Sequence, residues 1–375
     1  MLRVAIVGCG KQADAHAVPI SELPSCEIVA TCDTEELMAK QLAERFAVRQ
    51  YFNNVQQMLE VARPDVVHIT TPPQSHLDVG ALCLNFGCHV FFEKPFTLDA
   101  TQAQEVIGLA TAKNRKITVG HNNQFNTVSR RMRALVRDGF LNGPAVHLES
   151  IWCYDLGDKS FATALLGDKE HWVRRLPGKL LHNIISHGIG RISEFLDGDD
   201  AEVMVHGARS EVLESLNETE IIDELRVIIA DHKKTTAYFT FSTQIGPRVQ
   251  EFRVYGRKHS LIIDDLHQTL IKTGGRSYKY YLNHFIPPAL QASQYLRNAR
   301  HNIGRFLARD FHFEAGRKYL IEAFYRAIVE DAPLPITYRE ILLTARIMDA
   351  IFAQLRSGVT SPGPRRLGAT ARQAS

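Results

Sequence analysis

The run Val4-Ala5-Ile6-Val7-Gly8-Cys9-Gly10-Lys11-Gln12-Ala13 decides how this 375-residue chain begins to fold. Four consecutive apolar, β-prone residues read as a strand buried on both faces, the pattern of a parallel sheet. The glycines that follow fit G-x-G-x-x-G/A directly after that strand. Gly8 permits the tight turn, Gly10 lets backbone approach a pyrophosphate, and Ala13 takes the third position, where helix and strand pack closely. Lys11 and Gln12 open a helix whose free N–H groups and positive dipole end face an anion. Asp33 stands 25 residues after Gly8, at the end of the next β-rich run, where a carboxylate binds adenosine ribose hydroxyls. The acidic run Asp33-Thr34-Glu35-Glu36, with no Lys or Arg before Lys40, repels a 2′-phosphate and favours NAD over NADP.

Outward from this loop, short β-rich runs alternate with helix-length segments. The strands expected are Arg3–Val7, Glu27–Cys32, Val66–Thr70, His89–Phe92 and Lys116–Gly120. Such alternation implies βαβ crossovers and a parallel sheet covered on both faces. From about Ala145 the β-rich runs follow one another with few helices between them: Ala145–Tyr154, Ala201–Arg209, Ile221–Ala230, Thr235–Thr243, Glu251–Tyr255 and Ser260–Asp264. Asn183–Leu196, Phe313–Glu330 and Tyr338–Ser357 read as helices. The expected fold is α/β plus α+β: an N-terminal Rossmann doubly wound parallel sheet, then a domain with an open, mostly antiparallel β-sheet. The first domain is placed at 1–122 and the substrate and oligomerisation domain at 123–356. Residues 357–375, rich in Pro, Gly, Ala and Arg, read as a disordered tail.

Composition narrows the function classes. Hydrophobic residues make up 45% and charged residues 23% of the chain, ordinary globular usage, and the formal charge is +3. The last 19 residues hold three arginines and no acid, and residues 273–313 carry a net +5, so the remaining body is −5. A nucleic-acid binder with a basic face throughout is excluded. No apolar run is long enough for a membrane-spanning helix. The opening residues read as strand and turn rather than a leader, so a cytoplasmic protein is expected. Cys9, Cys26, Cys32, Cys83, Cys88 and Cys153 show no CxxC spacing and read as small buried thiols. A zinc site on Cys83, Cys88 and His89 has poor spacing and no second ligand pair, so no metal is expected.

Two further segments end strands at the cofactor edge: Thr71-Pro72-Pro73-Gln74-Ser75-His76 and Glu93-Lys94-Pro95. By itself Lys94 reads as a solvated surface lysine, but at such an edge a desolvated lysine carries a proton. Together GCGKQADAH (8–16), TPPQSH (71–76), EKP (93–95) and GHNNQF (120–125) resemble the glucose-fructose oxidoreductase, inositol dehydrogenase and rhizopine-catabolism family, Gfo/Idh/MocA. The resemblance covers roughly residues 1–350. It implies an NAD(P)-dependent oxidoreductase acting on a CH–OH group of a sugar, nucleotide sugar or cyclitol. It places Gly8, Gly10, Lys11, Gln12, Ala13, Asp33, Thr71, Pro72, His76, Glu93, Lys94 and Asn122 around the cofactor, with a cis peptide before Pro95.

In the second half, Trp172-Val173-Arg174, Pro177-Gly178-Lys179 and Asn183-Ile184-Ile185-Ser186-His187 resemble more loosely that family's tryptophan, glycine turn and Asp-x-Gly-x-His helix. Asn183 replaces the Asp and cannot titrate, so proton transfer falls to Lys94 and His187 as the catalytic pair. Lys94, Asn122, Trp152, Tyr154, Arg174, Arg175, Lys179, Asn183 and His187 are the candidate substrate contacts. Two other readings stay open: a glycoside hydrolase of the same family that retains its NAD, and a non-catalytic NAD-binding sensor or scaffold. A homo-oligomer, dimer or tetramer, is expected. The basic, aromatic arm at 273–313 reads first as a packing or subunit-contact arm. Its other readings are a cover for an anionic substrate group or, least favoured, a peripheral membrane contact.

Overall fold

The computed structural model describes residues 1–154, 165–275, 277–308 and 315–358. The first sheet has six parallel strands, Leu2–Val7 (β1), Cys26–Cys32 (β2), Gln50–Phe52 (β3), Val66–Ile69 (β4), His89–Phe92 (β5) and Ile117–Val119 (β6). Their order is β3-β2-β1-β4-β5-β6. Strand order therefore reverses between β1 and β4, which opens a crevice at their carboxyl ends. Helices Lys11–Ser21 (α1), Glu36–Arg45 (α2), Val55–Ala62 (α3), His76–Asn85 (α4) and Ala100–Ala112 (α5) connect the strands. The apolar run Val4–Val7 is at most 3% exposed, as a strand covered on both faces requires. The three-residue β3 was not expected, because it is too short for a period to show.

The second sheet has seven strands: His147–Cys153 (β7), Glu202–Ala208 (β8), Glu224–Ala230 (β9), Thr236–Ser242 (β10), Gln250–Tyr255 (β11), His259–Asp264 (β12) and Thr269–Gly274 (β13). They are ordered β13-β12-β11-β7-β10-β9-β8, antiparallel except for the parallel pair β7 and β10. Strand β13 was not expected either, and the basic segment starts inside it. Helix Thr127–Arg137 (α6) leads into this domain, and Glu211–Ser215 (α8) sits between β8 and β9. Helix Lys179–Phe195 (α7) starts four residues before the expected Asn183 and packs Ile185, Ile189 and Ile192 into the same core as the sheet. At Gly188 a Cβ would lie 2.3 Å from Phe239 Cε2, so only glycine allows this approach of α7 to the sheet.

Two buried clusters hold the molecule. The first takes in Leu320, Ile321, Phe324 and Tyr325 of helix Ala315–Val329 (α10) beside the parallel sheet. The second includes Leu343, Ile347, Ile351 and Phe352 of helix Tyr338–Arg356 (α11). All six cysteines are free and buried. No helix among the described residues is long and apolar enough to cross a membrane.

The arm forms the 22-residue helix Ile286–Leu307 (α9), in which only Asn298 is buried. What docks it is a stripe of amides, not the apolar face that the sequence suggests. Gln294 accepts from Lys272 N (2.8 Å) and donates to Lys272 O (2.9 Å), Asn298 donates to Leu270 O (2.9 Å), and Asn302 donates to His267 O (3.0 Å). The bonds to Leu270 and Lys272 satisfy backbone on the free edge of β13, which would otherwise be unpaired, and the bond to His267 holds the turn before it. Phe306 and Leu307 stay 70% and 75% exposed.

Candidate active site

The glycine loop has the shape its residues predict. Gly8 has φ +91°, and a Cβ there would lie 2.7 Å from Thr71 N. A Cβ on Gly10 would meet nothing within 4 Å, and no side chain caps α1. Open space at a helix N-terminus bordered by glycine is a cradle for a pyrophosphate. Asp33 accepts from Cys9 N (2.6 Å) and Glu35 N (2.9 Å), which fixes its carboxylate at the end of β2. Lys11 and Gln12 are exposed at the start of α1, whereas Ala13 is fully buried against the sheet. The nearby Arg45 is engaged by Asp14 through two bonds of 3.0 and 3.1 Å.

Thr71 and Pro72 border the same crevice, but His76 does not reach it. Its ring is fully buried, with Nδ1 2.9 Å from Phe96 O and Nε2 2.9 Å from Thr71 O. His76 therefore braces the Thr71 loop, which corrects its expected place among cofactor contacts. The Lys94–Pro95 peptide is cis.

Glu93 is also buried and faces inward. His16 Nε2 lies 2.8 Å from Glu93 Oε1, His16 Nδ1 lies 2.8 Å from His68 Nδ1, and His68 Nε2 lies 2.9 Å from Tyr325 Oη. A carboxylate only accepts, so His16 must donate through Nε2. A neutral His16 then accepts at Nδ1 from His68, which accepts in turn from the Tyr325 hydroxyl. One set of tautomers satisfies the whole chain with neutral rings. Burial lowers the pKa of His16, against its bond to Glu93, and lowers that of His68 with help from His16. Burial would raise the Glu93 carboxyl, but Arg317 and the His16 bond hold it below the usual carboxylate range. The second oxygen accepts from Lys94 N (3.0 Å).

The side chain of Lys94 points the other way, to α7. Its Nζ donates to Asn183 O (3.0 Å) and Asn183 Oδ1 (3.3 Å). Burial lowers its pKa, Glu93 opposes that, and Arg317 adds to it. His187, one turn beyond Asn183 on the same face of α7, stacks on Trp152 with ring centroids 5.6 Å apart. Its ring is also 6.0 Å from that of His121. Burial, then Lys94 and His121, push the His187 pKa well down. His121 falls to about 4 through burial and Lys94. His187 Nδ1, His121 Nε2 and Ser186 Oγ are buried without a hydrogen-bond partner.

The structure thus brings Lys94, Asn183, His187 and Trp152 together. Asn122 and Trp152 line a neighbouring cavity of about 320 Å³ with Arg248, Gln250, Asp265 and Arg305. Arg174 and Lys179 have carboxylate partners already: Arg174 binds Glu218 (2.7 Å) and Lys179 binds Glu220 (2.7 Å). Arg175 donates to Glu170 O (3.0 Å). Tyr154 is half-buried at the end of β7. No three His, Cys, Asp or Glu side chains are placed to share a metal ion among the described residues. Sequence reading missed His121 and the His16–His68–Tyr325 chain. His121 stood in the quoted GHNNQF run, but nothing local marks it, and Tyr325 lies 257 residues from His68.

Residues 2–121 match the model of an oxidoreductase family with an NAD-binding Rossmann fold. The chain is 33% identical over 141 residues to D-glucoside 3-dehydrogenase of Escherichia coli, covering 37% of this chain and 40% of that protein. It is 29% identical over 120 residues to UDP-N-acetylglucosamine 3-dehydrogenase of Acidithiobacillus ferrooxidans, covering 32% and 37%. It thus spans about two fifths of the length of these curated relatives. Solved structures align over nearly everything. A putative myo-inositol dehydrogenase from Sinorhizobium meliloti has TM-score 0.72 at 16% identity, covering 96% of this chain and 98% of that one. The WlbA dehydrogenase from Bordetella pertussis, in complex with NADH and UDP-GlcNAcA, has TM-score 0.74 at 15% identity and 96% coverage of both. At such identities the structures establish the shared two-sheet fold. Over residues 2–121 the chain matches the Gfo/Idh/MocA oxidoreductase family and shares its NAD-binding Rossmann fold.

Proposed function

We propose that the protein is an NAD-dependent dehydrogenase that interconverts a secondary alcohol and a ketone on a sugar, nucleotide sugar or cyclitol. The observation that carries this reading is the meeting of Lys94, Asn183, His187 and His121 beside the crevice of the glycine loop. The names of the glucoside and nucleotide-sugar relatives support the substrate class. Gly8, Gly10, the N-terminus of α1 and Asp33 would hold the cofactor, with Thr71 and Pro72 at its edge. When bound, the cofactor supplies the nicotinamide that exchanges hydride with the substrate carbon. Asp33 beside Glu35 and Glu36, with Arg45 engaged by Asp14, favours NAD over NADP.

Lys94 is the proton carrier. Burial favours its neutral amine, which accepts the hydroxyl proton in oxidation and returns it in reduction. Asn183 aims the amine and cannot itself titrate. His187, held neutral by burial, offers a hydrogen bond that orients the substrate oxygen, and Trp152 fixes the imidazole plane. The sequence reading left proton removal open between Lys94 and His187; in this reading it belongs to Lys94. A homo-oligomer is inferred through the outer face of the second sheet, where Met204 and Tyr238 are 59% and 51% exposed.

The test is NADH absorbance with a panel of glycosides, cyclitols and nucleotide sugars, guided by mass spectrometry of co-purified ligands. Net NADH that depends on Lys94 supports the reading. Glycoside cleavage without net NADH would replace it with the hydrolase. A Lys94→Ala protein that keeps full cellular function would replace it with a sensor.

A further inference from the structure

Four arginines withdrawn from solvent in the second domain meet carboxylates: Arg133 with Glu194 (2.6 Å), Arg174 with Glu218 (2.7 Å), Arg191 with Asp265 (2.5 Å) and Arg253 with Glu251 (2.8 Å). At one place four cations have no such partner: Arg131 is half-buried, and Lys258, Lys272 and Arg297 are exposed. Arg131, Lys258, Lys272 and Arg297 line a cavity of about 700 Å³ between α6, β13 and α9, and no Asp or Glu among the described residues lines it. No ion pair among the described residues involves any of the four. Arg131 is half-buried, and its Nη1 lies 3.4 Å from Oδ1 of the buried Asn298, which also staples α9 to β13. Burial lowers the Arg131 pKa, and no acid stands beside it to raise it.

The backbone adds to the arrangement. Gly274 has φ +95°, and a Cβ there would lie 2.3 Å from Lys258 O, so glycine is what lets the Lys258 turn close on β13. Gly275 has φ +115° and would meet nothing within 4 Å, leaving its peptide open to the cavity. Tyr278 completes the rim with a ring and a hydroxyl.

We propose that this cavity binds a soluble pyrophosphate-type anion, such as a nucleoside diphosphate, at a site separate from the glycine loop. Two arginines give the fork that phosphate oxygens accept, and two lysines add point charge. The volume suits a ligand larger than a lone phosphate. The site shares no lining residue with the cavity beside Asn122 and Trp152. Arg305 of that cavity and Arg297 of this one are eight residues apart on α9, about 12 Å along the helix. The arm therefore belongs to two cavities at once, and the site does not depend on the dehydrogenase reading.

The test is calorimetric titration of inorganic pyrophosphate and UDP into the full chain saturated with NAD, so that the glycine loop is filled. Binding is expected at one site, weakening with added salt. Arg131→Gln and Arg297→Gln should each weaken it about tenfold, with NAD affinity and circular dichroism unchanged. Arg297 is exposed, so its variant reports even if the Arg131 variant folds poorly. Absence of binding once NAD is bound, or wild-type affinity in both variants, overturns the proposal. So does binding to anionic phospholipid vesicles without binding of soluble pyrophosphate.

Discussion

Two imidazole clusters flank Lys94, and they differ in how their ring nitrogens are bonded. On the Glu93 side, each ring nitrogen of His16 and His68 has a partner, and the chain ends on the Tyr325 hydroxyl. On the α7 side, His187 Nδ1, His121 Nε2 and Ser186 Oγ have none. Both clusters are buried and both have depressed pKa values, so neither property separates scaffold from site. The hydrogen bonding of the ring nitrogens is where they part. A buried polar group without a partner costs stability, and in the reading proposed above His187 Nδ1 and His121 Nε2 are kept for a ligand.

The sharpest way to break this comparison is at its centre. Lys94→Met keeps the stem and removes the amine, and turnover should fall about 10³-fold while NAD binding persists. Steady-state NADH formation and a fluorescence titration with NAD separate the two effects. The remaining wild-type pH profile carries a sign. A neutral amine is the base, so the oxidation rate should rise with pH through the lowered Lys94 pKa. A Lys94→Met rate within tenfold of wild type would move the proton to another group.

The next effect treats the clusters alike. His121 of the α7 side, and His182, which lies on α7 outside both clusters with its ring stacked on Phe352, have folded-state values of about 4 against an ordinary 6.5, through burial. A depressed pKa means the unfolded chain takes up the proton first, so stability is full above pH 6.5 and is lost as pH falls toward 4. Each contributes about 3 kcal/mol to that loss. His16, His68 and His187 shift in the same direction. Urea midpoints between pH 7.5 and 4 should fall steeply across that window. A flat profile would mean that the rings are charged or solvated when folded.

Tyr325→Phe then separates the clusters. It removes the hydroxyl that donates to His68 Nε2 and should cost about 1–3 kcal/mol, the penalty of a buried acceptor left unsatisfied. Turnover should fall far less than in the Lys94 variant, because the lost bond lies on the Glu93 side, away from Asn183 and His187. Equal losses of turnover would make the chain part of the chemistry rather than its support.

How much of this could be read in the sequence follows from where each signal is stored. The parallel sheet was legible because Val4–Val7 and the glycine loop are contiguous, and β2, β4, β5 and β6 each carry an apolar run of their own. Lys94, Asn183 and His187 were legible because EKP and the i, i+4 spacing are local. Strand β3 was too short to show a period, and β13 was hidden at the start of the basic segment. The arm's docking by Gln294, Asn298 and Asn302 was masked by the louder apolar residues around them. The Glu93–His16–His68–Tyr325 chain is a property of folding alone, since its members come from four separated elements.

The smallest perturbation probes how tightly the unsatisfied side is set. Gly190 lies on α7 where a Cβ would come 2.9 Å from His121 Nδ1. Alanine in a helix interior ordinarily gains about 1 kcal/mol over glycine, and displacing the ring by a few tenths of an ångström returns much of it. Gly190→Ala should therefore leave the urea midpoint almost unchanged and leave the Glu93 side intact. Turnover should still fall about tenfold, because a small misplacement of an orienting group costs rate without costing stability. Unchanged turnover would remove His121 from the site and confine it to Lys94, Asn183 and His187.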